Sequence, residues 1–226
     1  LKKFFSFLFF KSICKIEAIV IKKSGKFPDL YNKFNLDELK LDSLILNPII
    51  SKSGLIYRYP IKDIENIKKL NLDLLVRAGS GILRGDILNV CPNGIVSFHH
   101  GDNQVNRGGP PGFWEVYERN PRTGFIIQRL TNELDGGDVF YRGFISTSWF
   151  YSLNLARLYE SSNPFLHKII NDITSVNPKL VIHKKVPYSN RLYTDPSIWQ
   201  SLNYLKKTIP FILFRLKVRL LHMNFR

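Results

Sequence analysis

The spacing of apolar and polar positions changes several times along the chain, and each change predicts an element. The opening FFSFLFFKSI reads as a short helix, and IEAIVI (Ile16–Ile21) as a buried strand of β-branched residues, broken by KKSGKFPD. Residues 30–58 hold no sustained period and read as an irregular connection with short helical pieces. In IKDIENIKKL the apolar residues Ile61, Ile64, Ile67 and Leu70 fall at helical spacing, with charges opposite. LDLLVR (Leu72–Arg77) follows as a strand, then the loop AGSGI, a short helix RGDILNV, and a CPNG turn into the apolar strand IVSF, which delivers His99. Phe113, Val116 and Tyr117 suit a helix with one face inward, and NPRTG reads as a turn. FIIQRL and DVFYRGFIS are strands joined by TNELDGG. Two helices come next. One lies around Trp149–Tyr159, and the other starts after Asn163-Pro164 with Phe165, Ile169 and Ile173 in line. In the tail, Ile209, Leu213, Leu216 and Leu220 form a stripe at helical spacing.

Strands alternating with helices predict an α/β fold with a largely parallel sheet. Sites in such sheets lie beyond the carboxyl ends of the strands. SFHH is such an end, and the polar cluster SFHHGDNQVNRGGPPG (Ser97–Gly112) stands where a ligand is expected.

At 226 residues and 44% hydrophobic, the chain has material for one large domain, or one domain plus a small extension, and is not a disordered segment. Its net charge of +15 fits nucleic acid or an anionic membrane as partner. It fits better a Lys-, Ile-, Asn- and Phe-rich composition bias, since no internal run holds the five or six like charges of a binding tail. After Asp195 the tail has no acidic residue, while Lys206, Lys207, Arg215, Lys217, Arg219 and Arg226 all fall there. It reads either as a helix capping the domain or as a basic amphipathic helix on a membrane surface or polyanion. Cys14 and Cys91 make neither a spaced metal set nor a disulfide framework, and are expected as free thiols. FFSFLFF is far shorter than the ~20 residues that cross a bilayer and lacks a signal-peptide cleavage site, so a cytoplasmic location is expected. The chain opens at Leu1 and its only Met is Met223, so its beginning is expected to be missing or differently started.

The candidates for chemistry are His99, His100, Asp102, Arg107, Glu133, Asp135 and Asp138. A histidine beside a carboxylate is oriented and made more basic by it, and can then move a proton or support a developing oxyanion. Each feature also has a plain explanation. A strand-end histidine satisfies a hydrogen bond, DGGD makes a hairpin turn, and RGGPPG punctuates a loop. His99, His100 and Asp102 have poor spacing for a metal, and GSGILRG fails the dinucleotide fingerprint.

Taken in order, SFHHGDNQVNRGGPPGFWEVYERNPRTGFIIQRLTNELDGGDVF resembles the catalytic core of the folate-dependent formyltransferases. His99, then Arg107, Gly108 and Pro111, then Thr123 and Gly124, then Leu134, Asp135, Gly137 and Asp138 match the family's motifs without a gap. Upstream, LDLLVRAGSGILRGDIL is similar to the family's strand and folate-side loop, and the likeness covers about Leu72–Phe144. It implies a Rossmann-like formyltransferase fold: a mostly parallel central sheet flanked by helices, with a helical C-terminal extension. Residues 1–175 would be the catalytic domain, the family's first strand being in question, and 176–226 a basic C-terminal extension.

The resemblance further implies N-formyl transfer from 10-formyltetrahydrofolate to an amine, with no metal. The catalytic residues would be His99, Asp135 and Ser97, where Ser97 replaces the family's Asn. Ala78, Gly81, Ile82, Leu83, Leu130, Thr131, Asn132 and Glu133 would hold the folate. Arg107, Gly108 and His100 would meet the acceptor. Arg77, in a usually apolar position, would pair with Asp135 or Asp138 or meet an anionic ligand. The short, weakly alternating stretch after Ile173 points to a small amine rather than methionyl-tRNA, so nucleic acid is not favoured as partner, and the oligomeric state is left open. The alternatives are hydrolysis of formyltetrahydrofolate and a non-catalytic folate- or polyanion-binding relative.

Overall fold

The computed structural model describes residues 2–27, 30, 35, 38, 42–79, 81–105, 107–175, 189 and 191–223, the side chains of 212 and 215–223 excepted. Its first element is a single long helix, α1 (Lys2–Ser24), in which Phe10, Ile13, Glu17 and Ile21 are buried on one face. The strand expected over Ile16–Ile21 is therefore the end of this helix. Helix propensities of ordinary residues differ by only about 0.7 kcal/mol, so the continuing buried stripe outweighs the β-branched composition.

A hairpin of β1 (Ile49–Ile50) and β2 (Ile56–Arg58) interrupts the connection read as irregular, and the part of it that falls on residues 31–34, 36–37 and 39–41 lies outside the described residues. Helix α2 (Ile61–Lys68) buries Ile64 and Ile67 as expected. Strand β3 (Leu75–Arg77) leads to the two-residue β4 (Ile82–Leu83), which pairs parallel with β2. A 3-10 turn at Asp86–Asn89 then precedes β5 (Ile95–His99). Strand β6 (Arg107–Gly108) and α3 (Phe113–Glu118) follow, then the long strands β7 (Arg122–Arg129) and β8 (Asp138–Ser146). Helix α4 (Tyr151–Thr174), β9 (Leu192–Tyr193) and α5 (Ile198–Met223) complete the order.

The main sheet runs β3-β5-β7-β8. Only β3 and β5 are parallel, while β7 is antiparallel to both β5 and β8. The sheet is thus mixed where a mostly parallel one was expected. The short α3 sits at the end where β5 leaves, so the chain re-enters there and β7 runs back. β7 and β8 are joined by a short loop, which permits only antiparallel pairing. Thr123 and Gly124 lie within β7 rather than in a turn, and the turn itself is made at Arg119 (φ 62°) and Asn120.

Helix α4 covers one face of the sheet, with Ile169 and Ile173 against Val96, Ile127 and Phe140. It continues unbroken through Pro164, where a second helix was expected to begin. An interior proline costs about 3 kcal/mol, and the packing of the helix's second half on the sheet offsets it. Helix α5 turns Ser201, Tyr204 and Thr208 inward, not the predicted stripe, whose Ile209 and Leu213 are exposed. The side chains of Arg215, Leu216, Lys217, Arg219 and Leu220, and the whole of Arg226, lie outside the described residues. No helix among the described residues is long and apolar enough to cross a membrane.

Candidate active site

Alternation along β5 sends Val96 and Phe98 toward α4 and leaves Ser97 and His99 on the opposite face. Strand register extends that face sideways. Arg77, Ser97 and Gln128 form one row across β3, β5 and β7, and His99, Ile126 and Arg142 form the next across β5, β7 and β8.

Asp135 comes to His99 from the loop between β7 and β8. Its Oδ1 lies 3.3 Å from His99 Nδ1, and the two side chains keep 17% and 16% of their surface exposed. Asp135 has φ 51°, a left-handed conformation that Asp tolerates better than most residues. The loop is tied down on both sides of it. Arg107 Nη2 donates to Leu134 O at 2.7 Å, Asn103 Nδ2 to Asp135 O at 2.8 Å, and Gly137 N to Gln128 Oε1 at 3.1 Å. Gly137 passes so close to β7 that a Cβ there would stand 2.0 Å from Arg129 O. Asp138 pairs with Arg129 at 2.5 Å.

The two segments expected to hold folate do converge. Arg84 Nη1 donates to Leu83 O at 3.1 Å and to Thr131 O at 3.4 Å. Leu83 and Leu130 pack on one apolar cluster with Ile87, Leu88 and Ile95. Among the described residues β4 is an edge strand, and since Ile82 N donates to Leu55 O and Arg84 N to Tyr57 O, the N–H of Leu83 points away from β2. Gly81 lies against the Tyr57 ring, and its carbonyl accepts from Arg77 Nη2. Burial pulls the Arg77 guanidinium below its ordinary value, and the charge of Asp135 works in the opposite direction. Ala78, Asn132 and Glu133 are exposed.

Other expected residues face elsewhere. Ser97 is buried, and its hydroxyl donates to Phe98 O at 3.1 Å. His100, one position beyond His99, falls on the opposite face. Its ring stacks on Phe98, meets Tyr159 edge-on and bonds Ser162 Oγ through Nε2 at 3.1 Å. Burial pushes its pKa down to about 3, so it is a neutral packing residue rather than an acceptor contact. Arg107 is turned onto the carbonyls of Leu134 and Ser189, and Gly108 lets β6 approach β9, where a Cβ would stand 2.8 Å from Tyr193 O. Asp102 forms an ion pair with Arg142. Gln128, Asn103, Arg142 and Arg84 were not singled out from the sequence. A glutamine inside the apolar FIIQRL was a signal for the first. The partners of Asn103 lie 32 and 39 residues away, and nothing local announces them.

Among the described residues, no group of three or more His, Cys, Asp and Glu is placed to hold a metal. The His99 ring keeps some exposure while its Nε2 is buried, and an imidazole oriented by a carboxylate suits proton movement and support of a developing negative charge.

No protein-family model matches the chain. Among curated proteins it is 29% identical over 119 residues to a methionyl-tRNA formyltransferase of Malacoplasma penetrans, a stretch covering 51% of this chain and 37% of that one. It is 35% identical over 78 residues to the methionyl-tRNA formyltransferase of Sulfurihydrogenibium sp., which covers 34% and 25%. The matched stretches thus span well under half of those relatives. Among solved structures, a sugar N-formyltransferase from Shewanella sp superposes with a TM-score of 0.53 at 19% identity, over 85% of this chain and 81% of that one. This likeness is one of fold. Sequence over part of the chain and fold over most of it thus point the same way, to a divergent likeness to the formyltransferases.

Proposed function

We propose that the chain moves a formyl group from 10-formyltetrahydrofolate to a small amine. The observation that carries this is the His99–Asp135 pair, 3.3 Å apart and partly exposed at the carboxyl end of β5. The donor is a co-substrate and supplies the formyl carbon. The N–H of Leu83 and the carbonyls of the 130–133 segment fit a flat heterocycle that needs donors and acceptors in one plane. The acceptor nitrogen forms a bond to the formyl carbon, and the carbonyl electrons move onto its oxygen. His99 stabilises that oxyanion, and Asp135 holds the imidazole and takes the proton released by the amine. The oxyanion electrons then re-form the carbonyl, and the bond to the folate nitrogen breaks as that nitrogen receives the proton taken up by Asp135. Removing one oxyanion donor costs about 10²–10³-fold in kcat, so His99→Ala falls by that factor. A small amine is favoured by likeness to the Shewanella sugar N-formyltransferase, while the curated relatives act on methionyl-tRNA.

The test supplies 10-formyltetrahydrofolate and follows tetrahydrofolate release with amino sugars, nucleotide-linked amines, methionyl-tRNA or no acceptor. Release that needs a small amine supports the proposal. Release that needs methionyl-tRNA replaces the acceptor, and release without any amine makes the protein a hydrolase. No release, unchanged in His99→Ala, leaves a binding protein.

A further inference from the structure

The carboxylate of Asp135 meets His99 from a backbone held at φ 51°, a left-handed conformation that neighbouring contacts help maintain. A contact on the Asp135 backbone comes from Asn103. This side chain is buried, at 3% exposure, and its Nδ2 donates to Asp135 O at 2.8 Å. A carboxamide turned by 180° would present its oxygen there and repel the carbonyl. Arg142 prevents this, because a guanidinium only donates. Its Nη2 donates to Asn103 Oδ1 at 2.8 Å and so leaves Nδ2 facing Asp135. The other end of Arg142, Nη1, is anchored on the buried Asp102. Asp102 is in turn pressed against β7 where Gly124 gives it room, since a Cβ at 124 would stand 2.6 Å from the Asp102 Cβ.

We propose that Asn103, oriented by Arg142 and Asp102, is a positioning residue that holds the Asp135 backbone so that its carboxylate meets His99 Nδ1. Asn103 and Arg142 act through Asp135. The kinetic arm of the test rests on the formyl-transfer function above, and the spectroscopic arm does not.

Asn103→Asp is the sharpest variant. It keeps an oxygen for Arg142 and the same shape, but turns an acceptor toward Asp135 O. Expected are a fall in kcat of about 10²-fold, the cost of a misplaced group, and a KM for the formyl donor within about threefold. In 15N-resolved NMR of the imidazoles, His99 should move from the Nδ1–H tautomer toward a mixture of both. Arg142→Lys, which keeps the charge but serves one partner at a time, should give intermediate values. Arg142→Met leaves Asn103 in place and carries the same test if Asn103→Asp does not fold, as judged by thermal melting. If His99 keeps its wild-type tautomer in the folded variant, the positioning role is overturned, whatever happens to the rate. If the wild-type protein transfers no formyl group, the proposed function fails and the tautomer shift still decides this inference.

Discussion

Glu17 ties three helices together, and removing it should cost far more than a surface substitution. Its Oε2 accepts the N–H of Ser152 at 2.8 Å, and its Oε1 accepts the hydroxyl of Tyr204. The oxygen of Tyr204 in turn accepts the N–H of Tyr151 at 2.7 Å. Tyr151 and Ser152 open α4, whose N-cap residue Phe150 offers no side-chain cap. Helix α1 and α5 therefore supply at long range the acceptors that a Ser or Asp would supply locally. Glu17→Ala orphans two buried donors, at about 1–3 kcal/mol each. A loss near 4 kcal/mol lowers Tm by about 8–16 °C in a chain of this length. Glu17→Gln keeps an acceptor for Ser152 and should cost about 1 kcal/mol. Burial raises the Glu17 carboxyl above its ordinary 4.5, with the bonds from Tyr204 and Ser152 opposing. The folded state then holds this proton more tightly than the unfolded chain. Its contribution is full below 4.5 and is lost as pH rises through the raised value. Glutamine has no such dependence, so the deficit of Glu17→Gln against wild type should shrink as pH rises. Thermal melts of the three proteins between pH 4 and pH 8, at about half-unit steps, check both points. An Ala variant within about 0.5 kcal/mol of wild type, or parallel pH curves for wild type and Gln, would refute the reasoning.

Ser97→Ala should change kcat by less than about threefold, because its hydroxyl already donates to Phe98 O, and a tenfold loss in the release assay would return Ser97 to the catalytic set. Gly137→Ala should displace the Asp135 loop, since the new methyl would stand 2.0 Å from Arg129 O, and kcat should fall about 10²-fold. Wild-type kinetics in that variant would show that the loop's close approach to β7 is dispensable. His100, whose pKa drops from 6.5 to about 3, should draw stability from the fold above pH 6.5 and lose it as pH falls toward 3. His100→Phe keeps the contacts with Phe98 and Tyr159 and should flatten that acid limb in melts, and an unchanged limb would assign it to other groups.

His99 and His100 show what could be read from the chain and what could not. They are adjacent and identical, and as residue types they are equal candidates. The strand period of IVSFHH, once anchored by Val96 and Phe98 under α4, separates them: one opens toward Asp135, and the other stays neutral beneath a helix. The dyad was legible because both partners sit on locally determined elements, the end of an apolar strand and the loop of a hairpin. The long helices were less so, because local signals compete within them. IEAIVI carries strand composition, and Asn163-Pro164 carries a helix start, yet both lie inside helices. What decides each is tertiary. Glu17 answers donors 135 and 187 residues away, and the turns beyond Pro164 gain the sheet face that Val96 and Ile127 present. The same distinction divides the site. Residues that would do chemistry were found by order and spacing. Asn103 and Arg142, which hold them in place, belong to no periodic pattern, since a carboxamide and a guanidinium become a clamp only when the fold brings β8 beside the loop after β5. Sequence order can therefore nominate a candidate pair, and the geometry that makes it a pair is set by contacts between elements.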